Sequence, residues 1–207
     1  MAGKNYRSQV FINVPFDSDY RAIFEAVVFA VADCGYTPCC ARERDDSGEI
    51  RFSKLLDLIE GCRFGLHDIS RTESDPSSGL PRFNMPFELG LFLGARRFGS
   101  PDQRDKIALI LDVDENRYDK FISDISGQDI KEHGGDPDLA VMAVRNWLAN
   151  NTTPRKLMPT GDVMAQRYAL FKADLPKSCA LFSMSLEKIT FLDYRQLVGQ
   201  WLRANRW

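Results

Sequence analysis

One carboxylate stands out among the residues that could do chemistry. Glu88 lies in the segment LPRFNMPFELGLFLG (residues 80–94), at the start of a stretch that is otherwise apolar. Burying a carboxylate is costly unless it is paired or used, and Asn84 and Arg82, just before it, can supply polar partners. The N-terminus of a helix would also stabilise the ionised form. The pattern predicts a positioned carboxylate in a cleft, and we favour a functional role for Glu88 over simple capping of its own helix.

Other familiar catalytic and cofactor motifs are missing from the sequence. The loop after the first predicted strand has no glycine, which argues against a dinucleotide-binding G-x-G-x-x-G turn and against a P-loop there. With two histidines and no C-x-x-C pair, the sequence argues against a zinc site. No G-x-S-x-G elbow offers a serine nucleophile. We therefore expect no metal and no cofactor, and the chemistry that remains is that of carboxylates.

The elements that must position Glu88 alternate between strands and helices. Short β-branched and aromatic runs predict four strands, at residues 9–15, 37–42, 64–69 and 106–112. Amphipathic spacing predicts helices at 20–33 and 50–62, and a third helix carries Glu88 between the last two strands. This order favours a doubly wound, flavodoxin-like α/β fold with a parallel sheet of four to five strands. The only further strand candidate is 179–183.

The chain after residue 112 has a mainly helical pattern. Its candidate helices are 120–125, 138–148, 163–175 and 186–202. Residues 150–161, NNTTPRKLMPTG, are typical of a linker. We therefore predict an α/β domain over residues 1–150 and a C-terminal helical extension over 151–207 that packs on it.

A parallel sheet brings the ends of its strands to one edge, and ligands bind outside the carboxyl ends of such strands. The polar and aromatic residues expected at this edge include Asn13, Phe16, Asp17, Arg42, His67 and Asp68, and the helix that carries Glu88 begins on the same side. His67 and Asp68 are consecutive in a strand, so their side chains point to opposite faces. We interpret His67 as a core histidine, whereas Asp68 is either a cap for the following loop or a second functional carboxylate.

Two of these residues have an ordinary structural explanation as well. Asp17 lies just before a predicted helix, where a capping role is favoured. Arg42 is followed by several acidic residues, so a surface ion pair is the alternative to phosphate recognition.

Two carboxylates at the mouth of a parallel sheet suit a reaction at the anomeric carbon of a sugar. The transition state there resembles an oxocarbenium cation, which a nearby anion stabilises or attacks. This is the logic of glycoside cleavage by paired carboxylates, applied to an N-glycosidic bond. Glu88 would be the nucleophile or the cation stabiliser, and Asp68 would orient the sugar or protonate the departing base.

The residues HDIS at the end of the third strand, NMPFELGLFLGARRFG around Glu88, and the strand KIALILD resemble nucleoside 2-deoxyribosyltransferase-like proteins. The sheet order and the position of the glutamate also resemble the Toll/interleukin-1 receptor (TIR) domain family, whose bacterial members cleave NAD. The similarity covers about residues 9–112. It implies that Glu88 is the catalytic glutamate and that Asp68 is the aspartate at the strand end. The chain departs from the G-T-x-x-E-x-G pattern of the transferases, because NMPFE replaces the glycine–threonine step that precedes the glutamate.

The resemblance implies an enzyme that cleaves, or transfers across, the N-glycosidic bond of a nucleotide, a nucleoside or NAD, in bacterial defence or nucleotide salvage. Asp68 and Asn84 would hold the ribose, Arg42 or Arg82 a phosphate, and Phe16 or Tyr20 the base. Asn13 and Asp17 would complete the substrate site. The alternative left open is a non-catalytic module on the same fold that senses a nucleotide or binds a protein. Self-association into a homo-oligomer is also implied, because TIR-like active sites are often completed by it.

The composition of the chain limits the classes of protein to which it can belong. The chain of 207 residues is 44% hydrophobic, which is ample for a core, and its net charge of −2 gives no basic field for nucleic acid. Five cysteines, several of them in apolar context, favour reduced thiols over a disulfide framework. No apolar run approaches the ~20 residues of a membrane span, and the N-terminal residues lack the apolar region of a signal peptide. We therefore expect a cytoplasmic protein with no membrane partner.

Overall fold

Five parallel strands form the centre of the structure. The computed structural model describes residues 5–43, 46–74, 79–114, 116–154 and 157–207. The strands within these ranges are β1 (Gln9–Asn13), β2 (Thr37–Cys39), β3 (Phe64–Asp68), β4 (Ile107–Asp112) and β5 (Lys131–Glu132). Their order across the sheet is β2-β1-β3-β4-β5, with every neighbouring pair parallel. This is the strand order of flavodoxin-like folds, so the predicted fold class is confirmed.

Helices cover both faces of the sheet. In the described ranges the α-helices are α1 (Arg21–Asp33), α2 (Arg51–Gly61), α3 (Asn84–Phe98), α4 (Pro137–Asn151), α5 (Gly161–Leu181) and α6 (Phe191–Ala204). α2 and α3 pack on one face, whereas α1 and α4 pack on the other, with α5 and α6 layered against them. None of these helices combines the length and the apolarity that crossing a lipid bilayer requires.

Alternation along the strands decides which side chains face which helices. Val10 and Ile12 of β1 belong to the cluster around α1, whereas Phe11 packs with residues of α2 and α3. Asn13 is paired with His67 across β1 and β3, and the two share the face that carries α2 and α3. Asp68, the next residue along β3, therefore faces α1.

The structure differs from the sequence prediction mainly at short elements. β5 was not predicted, because two exposed charged residues carry no hydrophobic pattern. The strand candidate 179–183 is wrong, since Cys179 lies in the last turn of α5. The predicted helix at 120–125 is replaced by two 3₁₀ turns, Arg117–Lys120 and Ser123–Ile125, and sequence periodicity over so few residues does not distinguish these turns from an α-helix.

The C-terminal helices complete the core around α1. Phe29 of α1 lies against Phe171 of α5 and Trp201 of α6, with ring centroids 5.3 and 5.9 Å apart. Arg167 of α5 donates hydrogen bonds of 2.9 and 3.0 Å to the two carboxylate oxygens of Asp33, at the end of α1. Since these contacts continue into the cluster that contains Val10 and Ile12, the C-terminal helices and the sheet share one hydrophobic core.

We expect Phe171→Ala to lower the free energy of unfolding by about 3–5 kcal/mol, because it removes a fully buried ring from this cluster. Leu170→Ala, at an exposed position on the same helix, is the control and should change it by less than about 0.5 kcal/mol. Urea denaturation followed by tryptophan fluorescence and circular dichroism is the measurement. Two separate transitions in the wild type, or equal effects of the two substitutions, would contradict a shared core.

Candidate active site

Glu88 lies on the second turn of α3, at the edge of a pocket. Leu89 and Phe92 bury their side chains against the sheet, and Glu88, just before Leu89, is only half-buried. It borders a pocket of about 690 Å³. Small-molecule sites typically enclose ~300–1,000 Å³, so the pocket has room for a ligand of nucleotide size.

The pocket is at the carboxyl end of the sheet, between the beginnings of α2 and α3. Its walls come from the loops after β1 and β2, from the segment that leads into α2, and from the first two turns of both helices. The lining residues are Phe16, Ala41, Arg42, Asp46, Glu49, Arg51, Phe52, Lys54, Leu55, Asn84, Phe87 and Glu88. Three aromatic rings, three cationic side chains and two further carboxylates therefore share the pocket with Glu88.

Burial controls the ionisation of Glu88. Its surroundings disfavour the charged form and raise the pKa of Glu88 to about 7, although Arg51 lowers the pKa in part. The sequence prediction was that the N-terminus of the helix would stabilise the ionised form. Glu88 instead lies a full turn beyond that terminus, where the effect of the helix dipole has faded. Glu88 consequently exchanges its proton near neutral pH, the range in which catalytic carboxyl groups work.

Four residues of the predicted site line this one pocket: Phe16, Arg42, Asn84 and Glu88. The guanidinium carbon of Arg42 lies 4.3 Å from the centroid of the Phe16 ring, and its Nη2 donates a hydrogen bond of 3.1 Å to the Phe16 carbonyl oxygen. Phe16 and Arg42 also line a smaller cavity of about 180 Å³ beside the beginnings of α1 and α6. The stacked pair is therefore a wall that the two cavities share.

Asp17 and Arg82 lie outside the wall that contains Glu88. Asp17 Oδ1 accepts a hydrogen bond of 3.0 Å from the backbone N–H of Tyr20 and lies 3.3 Å from Arg71 Nη2. Arg82 Nη1 is 3.8 Å from the other oxygen of Asp17. The contacts of Asp17 organise the loop between β1 and α1, but they do not cap α1, whose N-cap residue, Tyr20, makes no capping hydrogen bond through its side chain.

Asn13 and His67 form a buried polar pair beneath the beginning of α3. Asn13 Nδ2 donates a hydrogen bond of 3.0 Å to the Met85 carbonyl oxygen and lies 3.0 Å from His67 Nδ1. Burial lowers the pKa of His67 to about 3, so the imidazole is neutral, and its ring packs against Phe92. Asn13 is predicted to bind substrate, but here its amide holds α3 against the strands and is 2% exposed.

Asp68 is fully buried and faces away from the Glu88 pocket. Its Oδ2 accepts a hydrogen bond of 2.6 Å from the Tyr20 hydroxyl, and its Oδ1 accepts one of 2.8 Å from the Ser70 backbone N–H. His133 Nε2 lies 3.0 Å from Oδ2 but makes no hydrogen bond within the described ranges. The structure thus does not bring Asp68 into one cleft with Glu88. The Tyr20 ring, predicted to stack on a base, is buried in the same cluster.

Sequence reasoning missed the contribution of α2. Arg51, Phe52 and Lys54 lie in its first turn and line the pocket, whereas the sequence pattern predicts only an amphipathic helix over residues 50–62. The sequence does contain one signal for this contribution, which is the presence of two cationic residues, Arg51 and Lys54, at the start of a predicted helix. Acidic residues are the usual choice in the first turn of a helix, so an arginine and a lysine there point to an anion.

Comparisons with known proteins do not place the chain in a family. No family model matches it, and no curated protein matches it closely. Within the part of the chain that the structure describes, no group of three or more histidine, cysteine, aspartate or glutamate side chains is arranged to hold a metal ion. The arguments for function therefore rest on the pocket and on its residues.

The raised pKa of Glu88 predicts a pH-dependent penalty on stability. The folded state keeps the proton up to about pH 7, whereas the unfolded chain loses it near the ordinary value of 4.5. Wild-type stability should therefore fall as the pH rises through that window. Glu88→Gln removes this contribution. The free energy of unfolding of the variant, relative to that of the wild type, should therefore increase between these two pH values and stay constant above them.

Urea denaturation across this pH range measures the difference. Glu60→Gln, at an exposed position on α2, is the matched control and should show no such trend. A stability difference between Glu88→Gln and the wild type that is independent of pH would contradict the burial of the Glu88 carboxyl group.

The contacts of Asp68 predict a structural role for Tyr20. Tyr20→Phe removes a buried hydrogen bond to a carboxylate, so we expect it to lower the free energy of unfolding by about 1.5–3 kcal/mol. Tyr118→Phe is the control, because the Tyr118 hydroxyl makes no hydrogen bond within the described ranges. Chemical denaturation measures both variants, and equal stabilities of the two would refute the anchoring role of the Tyr20 hydroxyl.

Proposed function

We propose that the protein cleaves, or transfers across, the N-glycosidic bond of a nucleotide, a nucleoside or NAD, with Glu88 acting at the anomeric carbon. One observation carries the proposal: a half-buried carboxylate with a pKa near 7 borders a ligand-sized pocket at the carboxyl end of a parallel sheet. Within the described ranges, no hydrogen bond or ion pair holds this carboxylate in place. A carboxylate with a purely structural role would be expected to have such partners.

The reaction begins as the bond between C1′ of the sugar and the ring nitrogen of the base lengthens, and the bonding electron pair moves to the base. Positive charge develops at C1′ and at the ring oxygen, where ionised Glu88 stabilises it or forms a bond to C1′. Water or a second base then attacks C1′, releases the carboxylate if it had bonded, and gives up a proton. Nicotinamide leaves as a neutral molecule and needs no proton. A purine needs one, and Asp46 and Glu49 are further carboxyl groups on the pocket wall.

The pocket offers a surface for the base and for the sugar. Phe52 and Phe87, with ring centroids 6.2 Å apart, and Phe16 present aromatic faces on which a base can stack. The Asn84 amide supplies both donors and acceptors for sugar hydroxyls. Partial exclusion of water at this site strengthens the interaction between Glu88 and a developing cation.

Release of free base from NAD, deoxyadenosine and deoxyadenosine monophosphate, measured by chromatography, tests the proposal. Glu88→Gln should slow the release by at least about a hundredfold, because it removes the anion that faces C1′. Glu60→Gln, at an exposed position on α2, should leave the rate unchanged. The wild-type rate should rise as the pH increases through about 7, since Glu88 acts in its ionised form.

Undiminished release by Glu88→Gln, or a rate that falls as the pH passes 7, would contradict the proposed role of Glu88. If no base is released while nucleotides still raise the melting temperature, the protein is a binding module and not an enzyme.

A further inference from the structure

The first turn of α2 carries a lysine that the reaction at Glu88 does not use. Lys54 lines the Glu88 pocket, yet it is only 9% exposed. Within the described ranges, its ammonium group makes no hydrogen bond or ion pair. Lysine is almost never buried to this extent without a partner. The pocket therefore holds a lysine that has no ion-pair partner in the part of the chain that the structure describes.

The N-terminus of α2 is the second, independent reason to expect an anion. Ile50, in the N-cap position, provides no side-chain hydrogen bond, and the first turn contains no acidic residue. The first intrahelical hydrogen bond runs from the Lys54 N–H to the Ile50 carbonyl oxygen at 3.1 Å, so the N–H groups of residues 51–53 have no partner in the helix. The helix dipole adds partial positive charge at this end.

The side chains around this terminus reinforce its positive charge. Arg51 and Lys54 are three residues apart, so they lie on the same side of α2. Cations at this end of a helix oppose its dipole and reduce its stability. Asp46, in the loop before α2, accepts a hydrogen bond of 2.9 Å at its Oδ1 from the Gly48 backbone N–H. Glu49 and Glu88 are the other acidic groups on the wall of the pocket.

We infer that Lys54, Arg51 and the backbone N–H groups at the start of α2 form a phosphate subsite, so that the substrate is a phosphorylated nucleoside. This inference rests on the proposed function, because one molecule must then place its phosphate at α2 and its C1′ beside Glu88. Backbone N–H groups at a helix terminus bind phosphate oxygens, and an arginine and a lysine add charge-assisted hydrogen bonds. Binding energy from the phosphate, remote from the reacting bond, orients C1′ against the carboxylate.

Calorimetric titration of the Glu88→Gln protein with deoxyadenosine and with its 5′-monophosphate tests the subsite without turnover. The monophosphate should bind about ten- to a hundredfold more tightly than the nucleoside, and adding Lys54→Met should remove most of this preference. Lys177→Met, at an exposed position on α5, is the matched control and should preserve it. A parallel titration with NAD separates a terminal phosphate from an internal pyrophosphate, because the ligand that loses more affinity in Lys54→Met is the one whose phosphate occupies the subsite.

Thermal unfolding without ligand distinguishes a binding role from a structural one. Methionine keeps the length and the apolar stem of lysine, and the substitution removes a charge that has no ion-pair partner within the described ranges, so the melting temperature of Lys54→Met should equal or exceed that of its parent. A fall in melting temperature of the size expected for a core substitution would show that Lys54 stabilises the fold, and it would overturn the phosphate subsite.

The two proposals fail in different ways. Equal affinity for the nucleoside and the monophosphate, or a preference that Lys54→Met leaves unchanged, overturns the phosphate subsite. If base release also depends on Glu88 under those conditions, the proposed function stands without the subsite. Nucleotide binding that depends on Lys54, with no base release from any substrate, supports the subsite and overturns the proposed reaction.

Discussion

The alternation of side chains at the carboxyl end of β3 is the constraint that separates a structural acid from the candidate catalytic one. His67 and Asp68 are consecutive, so they face opposite sides of the sheet. Asp68 lies on the α1 side, where it accepts hydrogen bonds from the hydroxyl of Tyr20, at the end of the loop after β1, and from the Ser70 backbone N–H. On the other side, Asn13 lies beside His67 and holds the beginning of α3 through the Met85 carbonyl oxygen. The position of Glu88, one turn along α3, therefore follows from the pairing of β1 with β3.

Buried charges in this protein differ in how well they are compensated, and the difference indicates where a ligand binds. Asp33 receives two hydrogen bonds from Arg167, and Asp68 receives hydrogen bonds from Tyr20 and Ser70. Such groups hold elements together and stabilise the fold. Glu88 and Lys54 are also withdrawn from water and line the pocket, yet within the described ranges neither is held by a hydrogen bond or an ion pair. Groups that cost stability in this way are typical of functional sites.

Much of the fold follows from patterns within short stretches of sequence, whereas the site depends on contacts between distant ones. Hydrophobic periodicity predicts β1 to β4 and the main helices, and the rule for strand ends places Phe16, Arg42, Asn84 and Glu88 near one another. The same rule does not say toward which face of the sheet the side chain at each strand end points. The sequence therefore predicts one site that contains Asp68, Tyr20 and Glu88, whereas the structure separates Asp68 and Tyr20 from Glu88. The first turn of α2 joins the pocket only through tertiary packing, and β5 is too short to carry a pattern.

A crystal structure of the Glu88→Gln protein with deoxyadenosine monophosphate is the most direct test of this account. The substitution removes the reactive carboxylate and keeps the size of the side chain, so an intact nucleotide should remain in the pocket. C1′ should lie within about 3.5 Å of the side chain at position 88, the distance expected for a reacting pair, with the phosphate at the start of α2. A nucleotide bound in another cavity, or bound here with C1′ turned away from position 88, would contradict it.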